Sequence, residues 1–299
     1  MSLINAFKKT FHVWRHRILP PSSAYFRWRL DQISARLDQN SARLDQINVR
    51  LDQISEGLDR GEILALLRLL EPRKASDYAK IRVGTNGDGG YVQLDDLKGI
   101  SRAFSIGVAD NDDWDLAMAK AGVPVEQFDH SIERAPSKHP LLHFHRKMIS
   151  VDAAAETATL PDLVAEHSKV IAPDLILKMD IENSEWDVLD HTPEAVLAKF
   201  AQIVCEFHNL SYLTDLTFRA RAQRVFGKLH RLFAVVHVHG NNCCSFVDVC
   251  NIALPDLLEV TFASRARYSF VESDETFPTP LDAPNCPNVP SMVLGTFRF

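Results

Sequence analysis

Between residues 30 and 58 the apolar positions repeat every seven residues. Leu30, Leu37, Leu44, Leu51 and Leu58 mark the repeat, and Ile33, Asn40, Ile47 and Ile54 stand three places after the first four of them. Leu-Asp-Gln itself recurs at 30, 37, 44 and 51. Alternating steps of three and four keep one narrow apolar seam along a helix, and over several heptads they predict a coiled coil. Leucine then occupies position a and isoleucine position d, a choice that favours more than two parallel strands. Arg36, Arg43 and Arg50 fall at g, and Ser34, Ser41, Asn48 and Ser55 at e. Antiparallel packing would bring arginine rows together, so the helices are expected to run parallel. Asn40, polar at a d position, fixes the register at a cost in stability. The expected partner is the chain itself, as a homo-oligomer through residues 26–58, tetramer preferred over trimer.

Ahead of the repeat, Leu3, Phe7, Phe11, Trp14 and Ile18 form a helical stripe beside Lys8, Lys9, His12, Arg15 and His16, and Pro20-Pro21 close it. Such a basic amphipathic segment suits contact through residues 1–19 with a membrane surface or an acidic partner, or packing on the protein itself. After the repeat, Gly57 and Gly61 weaken the helix, a leucine-rich stretch resumes it, and Pro72 stops it. From residue 76, short apolar runs alternate with helical stretches, the pattern of an α/β domain. The predicted organisation is a basic segment at 1–21, an oligomerisation helix at 22–72 and an α/β domain at 76–299.

Composition narrows the class. Of 299 residues, 46% are hydrophobic and 24% charged, which suits an ordinary packed core. The sequence shows neither an apolar run long enough to span a bilayer nor the features of a signal peptide. Cys205, Cys243, Cys244, Cys250 and Cys286 are odd in number and form no CxxC pair, so reduced thiols and a cytoplasmic location, peripheral at the inner face of a membrane at most, are expected. The net charge is −6, although the first 29 residues carry six basic and no acidic side chains. The body is therefore acidic, which argues against nucleic acid as a partner.

Four segments carry candidate chemistry. In residues 103–114 an apolar run ends at Gly107 and a polar loop containing Asp110 leads into a helical stretch. The next apolar run, 123–128, is followed by Asp129. Strand, glycine turn, helix, strand and then an acid form a nucleoside-binding unit, in which the glycine admits a ligand to the backbone and the carboxylate holds ribose hydroxyls. A lone glycine does not make a dinucleotide fingerprint. The second segment, 174–186, delivers Asp180 and Glu182 to the end of a buried strand, with Ser184 placed to cap the next helix. In the third, alternation puts Glu206 and His208 on one face, and in the fourth it pairs His237 with His239.

Together these residues resemble the FkbM-type S-adenosylmethionine-dependent methyltransferases over about residues 80–264. The likeness rests on Arg82-Val83-Gly84 with Asp88-Gly89-Gly90-Tyr91-Val92, and on Phe104-Ser105-Ile106-Gly107 with Trp114-Asp115. It continues in Phe128-Asp129-His130, Lys178-Met179-Asp180-Ile181-Glu182 with Ser184-Glu185-Trp186, Glu206-Phe207-His208 and His239-Gly240-Asn241-Asn242. Asn183 stands where relatives often carry glycine and tolerates the same left-handed backbone. The resemblance implies a class I methyltransferase: a Rossmann-like, mostly parallel sheet of seven strands, the last antiparallel. It also implies S-adenosyl-L-methionine as cofactor and O-methylation of a sugar or glycan hydroxyl.

The expected cofactor contacts are Gly107, Asp110, Asp129 and Asp180. Asp180, Glu206, His208 and His239 are the candidates for acceptor chemistry, with His208, His239 or Asp180 as general base and no dedicated metal motif. Two other readings compete: a non-catalytic oligomeric adaptor with a methyltransferase-like domain, and a methyltransferase acting on protein or lipid at a membrane.

Overall fold

The structure, a computed structural model, describes residues 24–168 and 173–299. The basic segment 1–21 lies outside the described residues, as do the side chains of Ile54, Ser55 and Leu58 in the heptad repeat. The chain divides into two compact units, Met1–Asp59 and Arg60–Phe299.

In the first unit the heptads lie on helix α1 (Ala24–Leu67), which runs unbroken through Gly57 and Gly61. Seam residues Ile33, Leu44, Ile47 and Leu51 stand between 45% and 57% exposed on the single chain. The last turns of α1 behave differently. Ile63, Leu66 and Leu67, with Leu70 in the 3-10 turn that follows, are buried in the core of the second unit. The unit boundary therefore precedes residues 60–70, so the end of the expected 22–72 segment belongs to the second unit.

The second unit opens with a hairpin, β1 (Lys80–Val83) and β2 (Tyr91–Leu94). Seven strands then build one sheet: β3 (Arg102–Ile106), β4 (Val125–Phe128), β5 (Leu142–His145), β6 (Leu175–Met179), β7 (Phe200–Phe207), β8 (Phe233–Gly240) and β9 (Leu258–Ser264). Their order is β8–β9–β7–β6–β3–β4–β5. Neighbours from β7 to β5 run parallel, whereas β9 is antiparallel to both β7 and β8. Strand order reverses between β3 and β6, and the last strand to enter lies antiparallel between the two before it. This is the class I methyltransferase sheet.

Period-two alternation gives the sheet two apolar faces. Phe104, Ile106, Leu175, Leu177 and Met179 join one core cluster, with helices α3 (Leu160–His167), α4 (Ser184–His191) and α5 (Leu216–Leu232). Ala103, Val125 and Ile176 join the other, with Trp114 and Met118 of α2 (Asp113–Lys120). Two polar side chains seat the hairpin on the sheet: Gln202 bonds both the N–H and the carbonyl of Leu94, and Thr261 Oγ1 donates to Val92 O at 2.6 Å. That docking brings Tyr91 to the ends of the central strands.

Two local expectations are corrected. Helix α4 begins at Ser184 itself, with Asn183 as its left-handed N-cap (φ 83°) and no side-chain cap, because Glu182 also has positive φ and turns the chain first. The thiols are not all reduced: Cys243 and Cys286 form a disulfide, joining the loop after β8 to the C-terminal segment. A separation of 43 residues in an odd-numbered set gives no sequence signal of pairing. Among the described residues no helix is long and apolar enough to cross a membrane.

Candidate active site

The β3–α2 turn depends on one glycine. Gly107 has φ 84°, and a Cβ there would stand 1.6 Å from the carbonyl oxygen of Asp180. The glycine thus admits the backbone that follows β6. Asp129, just past β4, closes the same turn. Its Oδ2 accepts the N–H groups of Val108 and Ala109, each at 2.8 Å, while Oδ1 accepts Ser131 N at 2.7 Å and Oγ at 2.6 Å. Burial opposes its charge, but these bonds outweigh burial and hold the carboxyl below its usual range.

Around this turn lies a cavity of about 270 Å³ at the C-terminal ends of β3, β4 and β6. All four expected cofactor residues, Gly107, Asp110, Asp129 and Asp180, line it, together with apolar Phe128, Met148, Ile149 and Ile181. In an open α/β sheet this reversal point is where ligands bind. Lys178, at the cavity wall, donates to Gly107 O and lies 5.8 Å from the centre of the Tyr91 ring. Tyr91 Oη donates to Asp180 Oδ2 at 3.2 Å, fixing that carboxylate at the rim.

The four candidates for acceptor chemistry separate into two groups. His208 leaves β7 beside Asp180. Its backbone N–H donates to the fully buried Glu185 at 2.8 Å, its Nδ1 lies 3.1 Å from the same oxygen, and its carbonyl accepts Trp186 Nε1 at 2.9 Å. Trp186 is itself wedged against Phe207, Phe218 and Phe226. With Nδ1 facing a buried carboxylate, the free nitrogen is Nε2, which points between Glu182 at 3.4 Å and Asp180 at 4.0 Å. Burial works against a charged ring, but Glu185, Asp180 and Glu182 outweigh it and raise the pKa of His208.

Glu206 and His239 sit deeper. Glu206 accepts from Asn241 Nδ2 at 2.7 Å, and burial, reinforced by Asp180 and Glu259, pushes its carboxyl well up. His239 Nε2 meets Asn285 Oδ1 at 3.1 Å, and its Nδ1 lies 3.2 Å from Asp282 Oδ1. Asp282 also holds His237 Nε2 at 2.8 Å, and Asn285 donates to Glu259 at 2.8 Å. These five side chains, His237, His239, Glu259, Asp282 and Asn285, form a buried polar web anchored by the C-terminal segment. None of Glu206, His208 and His239 lines the cavity; Asp180 does, and His208 stands directly behind it.

Sequence reasoning missed Tyr91, Lys178 and Glu185 as site residues, although all three belong to segments that it quoted. A lysine inside the apolar run 175–179 was the available signal for Lys178. Asp282 and Asn285 gave none, since they come from a segment with no motif. Among the described residues, two groups of three donor atoms lie within 4.8 Å of one another: Asp180, Glu182 and His208 at the rim, and Glu126, His145 and His167 elsewhere.

No protein-family model matches the chain, and no curated protein matches it. Solved structures overlap it in part. The fibrillarin pre-rRNA processing protein of Methanococcus jannaschii is 11% identical, over 65% of this chain and 85% of its own, with a TM-score of 0.35. A Streptococcus thermophilus protein described as a hemolysin is 10% identical over 67% of this chain and 75% of its own, with a TM-score of 0.32. EvdMO1 is 13% identical over 56% of this chain and 38% of its own, with a TM-score of 0.30. The strand order, not these partial overlaps, defines the fold.

Proposed function

We propose that the α/β unit is an S-adenosylmethionine-dependent O-methyltransferase acting on a sugar or glycan hydroxyl, and that the heptad helix assembles it into an oligomer. The observation that carries this reading is the cavity at the reversal point of a class I methyltransferase sheet, lined by the Gly107 turn and Asp129. The FkbM-type motifs supply the substrate class.

The lining suits the cofactor. Apolar Phe128, Met148, Ile149 and Ile181 offer a surface for a flat base, and Asp110, Asp129 and Asp180 offer acceptors for hydroxyls and for a cationic centre. When bound, the cofactor supplies a sulfonium methyl as electrophile. The chain must then align the acceptor oxygen, an effect worth up to about 7–11 kcal/mol, and remove its proton. Asp180, held by Tyr91, orients the hydroxyl at the rim. His208 Nε2 takes the proton, and Glu185 fixes the tautomer that leaves this nitrogen free. General-base action of this kind contributes roughly 10²–10⁴-fold. His239 is ill-suited to the role, since both its nitrogens face Asn285 and Asp282.

The test is transfer of label from methyl-labelled S-adenosylmethionine to a glycan extract by the purified protein, followed by identification of the labelled sugar. Label in protein or lipid only would move the substrate class to the membrane alternative. No label in any fraction, with the cofactor bound, would favour the adaptor.

A further inference from the structure

Away from the cavity rim, three elements converge on one buried carboxylate. Glu126 lies in β4 with its side chain 4% exposed. Arg102 of β3 forms an ion pair with its Oε1. The other oxygen, Oε2, meets His145 Nε2 at 2.7 Å and lies 3.5 Å from His167 Nδ1. His145 is the last residue of β5 and His167 the last of α3. Aromatic packing sets both rings: His145 stacks on Phe128 with centroids 4.8 Å apart, and His167 stands edge-on to Phe128 at 5.8 Å and to Phe104 at 6.5 Å.

The geometry points to a binding site for one divalent transition-metal ion of the zinc class, with Glu126 Oε2, His145 Nε2 and His167 Nδ1 as its protein ligands. Two imidazoles with one carboxylate select such ions over magnesium or calcium, which prefer all-oxygen shells. Bonds of about 2.0–2.1 Å in a tetrahedral shell put ligand atoms about 3.3 Å apart, and the two distances to Oε2 straddle that value. Arg102 is the outer-shell partner: by holding Oε1 it leaves Oε2 alone to face the imidazoles.

The Arg102–Glu126–His145 contacts would satisfy the carboxylate without an ion, but they do not call for His167, brought in from a separate helix. The histidine side chains are 31% and 16% exposed, so the ion has a way in and a water can take the fourth position. Phe128 and Asp129 follow Glu126 along the chain, and residues 147–149 follow His145; all of them line the cavity. The ion would clamp together the two strands that carry that wall.

The experiment uses the full-length protein, stripped with a chelator, dialysed and titrated with Zn²⁺ by calorimetry, with Co²⁺ absorption reporting coordination geometry. One equivalent of Zn²⁺ is expected, with a rise in the thermal midpoint, a tetrahedral Co²⁺ spectrum and no competition by Mg²⁺. His145→Ala and His167→Ala should each weaken Zn²⁺ by at least about tenfold, the scale on which even outer-shell partners act. His167→Ala alters only a helix end, so a folded variant is expected, as circular dichroism would verify. His208→Ala, at the other donor group, should leave the equivalent in place. The proposal is overturned by no uptake, by uptake unchanged in both His145→Ala and His167→Ala, or by uptake lost in His208→Ala alone.

Discussion

One oxygen of the buried Glu185 carboxylate accepts the His208 backbone N–H at 2.8 Å and faces the Nδ1 of the same residue at 3.1 Å. The imidazole is therefore fixed in position and in tautomer, with Nε2 directed towards Asp180. His208→Ala should lower turnover by roughly 10²–10⁴-fold while leaving cofactor affinity nearly unchanged. The raised pKa of His208 sets the pH dependence. The free base appears as pH rises through that pKa, so the rate should climb with pH and inflect above the ordinary histidine value of about 6.5. Glu185→Gln removes the charge that raises it, and the inflection should move down. A pH–rate profile of both proteins checks this; an unshifted inflection would remove His208 from the role of base.

Asp282 Oδ1 bonds His237 Nε2 at 2.8 Å and lies 3.2 Å from His239 Nδ1, with side chains on both sides of each contact only 2–3% exposed. Burial works against its charge, but His237 and His239 override it and hold the carboxyl well below the usual range. Asp282→Ala leaves the buried His237 Nε2 without its hydrogen-bond partner and should cost about 1–3 kcal/mol, read from denaturant unfolding. Because the folded pKa is depressed, this contribution is present above the unfolded value of about 3.9 and fades as pH falls through the folded one. The gap between wild type and variant should accordingly narrow in acid.

Glu259 behaves in the opposite way. Burial pushes its carboxyl up to about 7, with His239 pulling against the rise. A raised folded pKa gives stability that is full below the unfolded value and is lost as pH climbs through the folded one. Glu259→Gln keeps an oxygen for Asn285 without the charge. The variant should melt higher than wild type at pH 8 and about equally at pH 5. A lower midpoint at pH 8 would mean that the charged carboxylate is the stabilising form.

The features that were legible are those whose local structure follows from neighbours in the chain. Strand, Gly107, helix, strand and Asp129 lie within one βαβ unit, whose backbone spacing follows from local sequence. The helix that carries the heptads was legible for the same reason. Glu185 was hidden because a glutamate in the first turn of a helix is ordinarily solvated; only tertiary packing shows that α4 turns it under the sheet with Trp186. Asp282, Asn285 and the Cys243–Cys286 bond depend on a C-terminal segment whose return path no local pattern encodes. Alternation assigns Glu206, His208 and His239 a face but not a depth: His208 stands directly behind Asp180, while the other two sit deeper.

The exposed seam of α1 predicts assembly. Full-length protein should scatter light as a trimer or tetramer, with tetramer preferred. Leu37→Glu with Leu44→Glu keeps helix-forming residues but puts charges into two a positions, and should dissociate the oligomer. A monomeric wild type at micromolar concentration would contradict the coiled coil.

The most direct test of the methyltransferase reading is calorimetric titration of the intact protein with S-adenosylhomocysteine. Saturable binding of one molecule per chain is predicted, weakened roughly 10–100-fold in Asp129→Ala, the loss expected when a charged hydrogen-bonding group is removed. A folded protein that takes up no ligand, or binds it equally well without the Asp129 carboxylate, would contradict the account.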